Sequence, residues 1–229
     1  MDAQIAAQVP ADNPDTLYKD RENPASAKKA TDIWAARLAA DPKDFDSAYR
    51  LAQARYWLGS NGLPPPERKP ALEAGIAAAR TAIALRPVRP EGHFWLAANM
   101  GALAESFGMR QGIKYRGEIK EALLTTLKLD PAFLDGSADR ALGRWYYKVP
   151  GLFGGSDKQS EIHLRKSLTY NPNSIISHLF LAETLADLGR KDEARQECQA
   201  AIDAPIDPNW APEDKRFKEQ AKQLLEKIR

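Results

Sequence analysis

The sequence predicts an all-α chain: a right-handed α–α superhelix of about five helical hairpins with a C-terminal capping helix. Three observations lead there. Pro42, Pro87, Pro131 and Pro172 recur at spacings of 45, 44 and 41 residues, each behind an apolar helical stripe. The residue before a proline avoids the α region, so each marks a helix end. The stretch from Ser174 to Ile202 reads as two short helices around Gly189, with Leu181, Ala182, Leu185 and Leu188 on one inner face and Ala194, Cys198, Ala201 and Ile202 on the other. Small residues there let two helix backbones approach, and glycine supplies the positive φ that closes a helix. Alanine is abundant and runs of β-branched residues are missing, which favours helix.

Taken in order, a flexible N-terminal segment (1–14) precedes a single domain (15–229). Asp15–Glu22 predicts a short first helix. PASAKKATDIWAARLAA follows, with Ala30, Trp34, Arg37 and Leu38 facing inward, and stops at Asp41-Pro42. The second hairpin opens at Asp44 with Ala48, Leu51, Ala52, Arg55 and Tyr56 in line, and returns from Glu67 to Leu85. The third runs from Pro90 to Gly108 and returns over 114–129. The fourth opens near Ser137 and returns over 158–170, and the fifth is the stretch around Gly189. The last helix ends the chain with Phe217, Ala221, Leu224, Leu225 and Ile228 on its apolar face. The period exceeds a plain 34-residue unit. The excess falls between the two helices of a hairpin, as insertions near 61–66, 109–114 and 150–156 on one edge of the stack.

Composition narrows the function. Hydrophobic residues make up 43% and charged ones 28% of 229 residues, which is globular. A net charge of +2 is too weak to point to nucleic acid. No window approaches the ~18 apolar residues of a membrane span. Met1–Asn13 has neither a basic start nor an apolar core, so no leader is expected in this stretch. Cytoplasmic is then the default compartment, and periplasmic applies where a leader has been removed. Cys198, the single cysteine, falls on an inner helix face and reads as a buried thiol.

Catalytic and metal motifs are not found. His93, His163 and His178 lack the HExxH spacing, and no cysteine pair exists, so no metal and no cofactor is expected. GLFGGSDK has no Gly-Lys-Ser/Thr ending and follows a helix, which excludes a phosphate loop. Its plain reading is a turn with Ser156 or Asp157 capping the next helix. The other reading makes it a partner or ligand loop with Leu152 and Phe153 exposed. The aromatics mostly have core spacing. Phe94-Trp95 and Trp145-Tyr146-Tyr147 differ, because adjacent aromatics cannot all face one way on a helix with 3.6 residues per turn. One of each set must reach the concave groove or the inserted edge, close to Arg140 and Arg144.

PEGHFWLAA at 90–98, LGRWYYKV at 142–149 and GLFGGS at 151–156 carry a resemblance. The hairpins resemble tetratricopeptide repeats over roughly 41–229. The first two segments are similar to the regulator of microtubule dynamics proteins, eukaryotic proteins found in part at mitochondrial membrane contacts. All three are similar to the T-component proteins of bacterial tripartite periplasmic (TRAP) transporters. The resemblance implies a tetratricopeptide-like solenoid and an adaptor without catalysis, with an apolar cavity open to a hydrophobic ligand. The expected function is therefore a non-catalytic scaffold for a protein partner, in a transport or envelope system. The alternative is a carrier or receptor for a hydrophobic small molecule or lipid. Open ends also allow a homo-oligomer. The candidate binding residues are Phe94, Trp95, Tyr115, Arg144, Trp145, Tyr146, Leu152 and Phe153.

Overall fold

A computed structural model describes residues 13–228. Residues 1–12, most of the segment expected to be flexible, lie outside the described residues. Asn13 and Pro14 already belong to the fold, as the cap and first residue of α1 (Pro14–Lys19). The remaining α-helices are α2 (Pro24–Ala40), α3 (Phe45–Trp57), α4 (Pro65–Leu85), α5 (Pro90–Ser106), α6 (Met109–Leu129), α7 (Ser137–Lys148), α8 (Asp157–Tyr170), α9 (Ile175–Asp187), α10 (Lys191–Asp203) and α11 (Ala211–Lys227). They pack in chain order as five hairpins, α1/α2 to α9/α10, with α11 laid over α9 and α10. The described residues contain no strand.

The proline stops occupy equivalent corners. Helices α2, α4, α6 and α8, the second members of their hairpins, end two residues before Pro42, Pro87, Pro131 and Pro172. The residue between, Asp41, Arg86, Asp130 or Asn171, has φ from −128 to −154° and donates its N–H to the last helical turn. Starts are equally local. Asn13, Asn23, Asp44, Ser156 and Ser174 each accept an N–H of the first turn through the side chain. Proline stands in the first turn of α2, α4 and α5, where its missing N–H costs nothing. Gly189 closes α9 at φ 77°.

Three sequence expectations change. The extra residues of the second and third hairpins lengthen helices rather than form loops. Leu58–Gly62 makes a π-helical turn, and Pro65 and Pro66 already belong to α4. Gly108, at φ 88°, reverses the chain at once, so α6 begins at Met109 and not at residue 114. Only 150–156 remains a loop, with a single 3₁₀ turn at Gly151–Phe153. Arg37 and Leu188 face outward. Arg37 lies in the last turn of α2, and Leu188 is the residue that caps the end of α9.

The largest core cluster runs from α2 to α7 around Trp34, Leu72, Met100, Leu123 and Leu142. A second set around Leu164, Leu181, Leu185 and Cys198 joins α8 to α11. Burial pushes the Cys198 thiol up to about 11, so it stays protonated and apolar at neutral pH. The cap α11 buries Ala221 and Ile228 against this second half, as its apolar stripe predicts.

The two ends of the stack also meet. Arg21, in the corner between α1 and α2, is 3% exposed. Its guanidinium donates to both carboxylate oxygens of Glu213 in α11, and to the Asn209 carbonyl at 2.7 Å. Its Cζ lies 5.1 to 5.7 Å from the ring centroids of Tyr18, Trp57 and Trp210. Lys215 pairs with Glu22 beside it. A cap that only covered the last hairpin would not need these contacts.

Candidate functional site

Closure of the stack turns part of the concave side into a pocket of about 310 Å³. Helix α3 contributes Tyr56, α5 contributes Phe94, Trp95 and Ala98, and α7 contributes Arg140. The start of α9 brings Ile175 and Ile176, the segment leading into α11 brings Trp210, and α11 itself brings Asp214, Arg216 and Phe217. The rings interlock: Tyr56 and Phe94 each meet Trp95, at centroid distances of 5.7 and 5.1 Å. First helices of successive hairpins line the inner side of such a stack. For that reason residues from α3, α5, α7 and α9, far apart in sequence, converge here.

The backbone at the rim is unusual. Leu134 and Asp135 have φ of 45° and 55°, and Gly136 follows at 74°. Non-glycine residues at positive φ are uncommon, and each costs on the order of 1 kcal/mol. Hydrogen bonds from Ser137 N and Oγ to the Phe133 carbonyl hold the turn. Leu134 and Asp135 both face the pocket.

The charged groups divide into occupied and unoccupied. Both Glu213 oxygens accept from Arg21. Asp214 accepts the Asp207 N–H at 2.9 Å, and Asp207 accepts the Asn209 N–H at 2.8 Å. Burial raises the Asp214 and Glu213 carboxyls above their ordinary values, with Arg21 opposing it at Glu213. The Asp135 carboxylate and several donors are not so engaged. Among the described residues, the Arg140 guanidinium and the Tyr56 hydroxyl have no hydrogen-bond partner, and Arg140 has no ion-pair partner within 4.0 Å. Arg216 Nε is buried without a partner. One turn along α7, Arg144 makes the contrast. It bridges Glu105 of α5 and Glu183 of α9 and covers the Phe180 ring at 4.3 Å.

The eight expected binding residues separate into groups. Phe94 and Trp95 are in the pocket. Arg144 is a clamp between three helices. Trp145 is 8% exposed, and its Nε1–H donates to the Arg116 carbonyl at 2.9 Å, so it packs within the stack. Tyr146 stacks on His163, and Tyr115 packs against the core under Lys114. Leu152 and Phe153 stand on the edge loop, 90% and 36% exposed, with Arg116 over the Phe153 ring. The fold thus yields an inner site and an outer edge. Tyr56, Trp210, Arg216 and the 134–136 turn were not singled out from sequence, and Arg140 only as a neighbour of aromatics. An Asp-Gly turn signal at 135–136 was the one available cue.

Histidines serve structure. His178 donates through Nδ1 to Glu197 at 2.6 Å and through Nε2 to the Pro172 carbonyl at 2.8 Å. Burial alone would lower its pKa, but these acceptors raise it above the ordinary value. His93 repeats the second contact with the Pro87 carbonyl at 2.9 Å. Among the described residues, no three His, Cys, Asp or Glu side chains gather as a metal site would need. No described helix is long and apolar enough to cross a membrane.

The comparisons decide the family. Residues 12–153 match the model of the regulator of microtubule dynamics protein 1-3, and residues 91–228 match that of the TRAP transporter T-component. Each spans more than half of the chain. The chain belongs to the tetratricopeptide-repeat families that these two models describe. Solved structures agree on the fold of this tetratricopeptide protein. A thermophilic tetratricopeptide protein of Thermus thermophilus superposes with a TM-score of 0.68 at 21% identity, over 93% of this chain and 97% of that one. The pilF protein of Pseudomonas aeruginosa gives 0.57 at 17% identity over 94% and 90%. MamA gives 0.54 at 15% identity over 93% and 99%. No curated protein matches by sequence.

Proposed function

We propose that this tetratricopeptide protein is a non-catalytic adaptor that docks a protein partner on its outer edge, as part of a transport system. The observation that carries the reading is the edge loop. Leu152 is 90% exposed, yet the loop under it is fixed by hydrogen bonds from Phe153, Gly154, Gly155 and Ser156 N–H groups to the Pro150, Gly151 and Tyr146 carbonyls. Burying a leucine is worth about 1.5–3 kcal/mol. A loop that holds one in water is suited to a partner that covers it. The match to the TRAP transporter T-component supports a transporter subunit as that partner. The test is calorimetric titration with the solute-binding subunit of a TRAP transporter from the same source. The wild type binds, and Leu152→Asp or Phe153→Ser weakens binding about tenfold or more at unchanged melting temperature. Wild-type protein that does not bind ends the transport reading, and variants that bind normally end the role of this loop.

The inner pocket favours a second reading, a receptor or carrier for a small apolar molecule. An aromatic-walled cavity with a few polar groups is the usual form of such a site. Native mass spectrometry of the purified protein, followed by organic extraction, recovers a bound apolar compound on this reading. Protein that is empty at every attempt, and takes up no offered compound, removes it.

A further inference from the structure

We propose that the inner pocket recognises a small organic monocarboxylate, its apolar body between the aromatic walls and its carboxylate on Arg140. The proposal rests on the second reading above and names the chemistry of the ligand.

Four observations carry it. First, among the described residues that line the pocket, the Arg140 guanidinium, the Tyr56 hydroxyl and Arg216 Nε have no hydrogen-bond partner, and neither has the exposed Asp135 carboxylate at the rim. The carboxylates of Glu213 and Asp214 already accept from Arg21 and the Asp207 N–H. Three unpartnered donors in one pocket suit a ligand that accepts. Second, Arg144 shows what this fold does with an arginine it uses structurally. It supplies two glutamates, one from each neighbouring inner helix. At Arg140, one turn away on the same helix, it supplies none within ion-pair distance among the described residues. Burial pulls Arg140 below the usual guanidinium range, with Tyr56, Asp135 and Asp214 acting in the opposite direction. Asp135 and Asp214 offset the half-buried Arg140 charge only from beyond ion-pair distance, and an incoming carboxylate in contact would offset more of its desolvation. Guanidinium is also the side chain whose planar fork matches a carboxylate bidentately.

Third, the volume of about 310 Å³ lies at the low end of small-molecule sites, which suits one ring or a short chain. Fourth, the strained turn at Leu134 and Asp135 opens on this same pocket. Strained backbone concentrates at ligand sites because the surroundings must over-determine it. A free small acid fits a volume of about 310 Å³ better than a chain segment.

The probes are 3-phenylpropionate and its uncharged amide, titrated into the full chain. Trp95 and Trp210 fluorescence and calorimetry report binding. The acid binds tighter than the amide by about ten- to hundredfold, the range of one charge-assisted pair. Arg140→Met abolishes that preference and leaves amide binding in place, whereas Arg140→Lys keeps part of it. Amide and acid bound equally by the wild type overturn the proposal and leave the apolar-receptor reading standing; this comparison needs no variant to fold. Neither probe binding, nor shorter and longer members of both series, removes that reading as well. A pentapeptide ending in phenylalanine presents the same carboxylate. If it binds tighter than the free acid, the site belongs to a chain terminus and the small-molecule proposal falls.

Discussion

Arg21→Ala lowers stability by about 3–5 kcal/mol, the usual cost of removing one partner from a buried ion pair. The variant leaves Glu213 in place, 13% exposed, without the guanidinium that engages both its oxygens. It also takes a cation from between Tyr18, Trp57 and Trp210 and a donor from the Asn209 carbonyl. For a chain of this size the melting temperature falls on the order of 10 °C. Amide hydrogen exchange speeds up over 207–217 while α3 to α6 keep their protection, because the bond joins the two ends and not the middle. Arg21→Lys restores only part, since an ammonium cannot engage both carboxylate oxygens in a fixed plane. The defect also depends on pH. Burial raises the Glu213 carboxyl and Arg21 opposes it, so without Arg21 the raised value goes higher. A carboxyl with a raised folded pKa favours the fold below its unfolded value, ~4.3, and this is lost as pH rises through the folded value. The gap between variant and wild type therefore narrows as pH is lowered from neutral toward ~4.3. A variant that melts with the wild type and exchanges normally at 207–217 would mean that the meeting of the ends is incidental.

That contact marks the boundary of what the sequence could disclose. Helix ends were legible because they are local. Pro42, Pro87, Pro131 and Pro172 each act on the residue before them, and Gly189 acts on its own φ. Inner faces were legible wherever a helix has neighbours on both sides, as for Ala48, Leu51, Leu123, Leu181 and Cys198. They failed at Arg37 and Leu188, where the stripe continues past the contact it would serve. The lengthened α4 and α6 were hidden because Pro-Pro-Pro and Gly-containing stretches read as loops, although a proline in the first turn and a glycine just before it are both ordinary helix starts. The pocket was hidden for a different reason. Its walls come from four inner helices, from α11 and from the segment before α11 that wraps back across the stack, a product of superhelical curvature. Phe94 and Trp95 could be singled out as a pair of adjacent aromatics. Nothing in the sequence pairs Arg21 with Glu213 across 192 positions, or leaves Arg140 unpaired while Arg144 is paired.

Gly75→Ala is expected to destabilise by about 2–3 kcal/mol, against the sign of helix propensity. In the interior of α4, alanine should gain roughly 1 kcal/mol over glycine. The structure opposes that gain. A Cβ on Gly75 would stand 2.1 Å from Asn99 Oδ1 and 2.6 Å from its Cγ. Asn99 cannot swing aside cheaply. It is fully buried, and its amide donates to the Ala52 carbonyl of α3 at 3.0 Å and to the Trp95 carbonyl at 2.8 Å. Either those two bonds break or α4 and α5 separate, and overpacking of a close helix contact costs about 1–3 kcal/mol before the lost bonds are counted. The effect reaches the pocket, because Trp95 is both the residue that accepts from Asn99 and a wall of the cavity. Tryptophan emission therefore shifts in Gly75→Ala. The decisive measurement is the double-mutant cycle in chemical denaturation. Asn99→Ala is destabilising alone, since it strips two buried carbonyls of their donor. In that background the obstacle is gone, and Gly75→Ala turns neutral or stabilising, which gives a coupling of about 2 kcal/mol or more. Two losses that simply add would show that α4 and α5 are not held at this distance by Asn99, and that the wall carrying Trp95 is set by the apolar contacts alone.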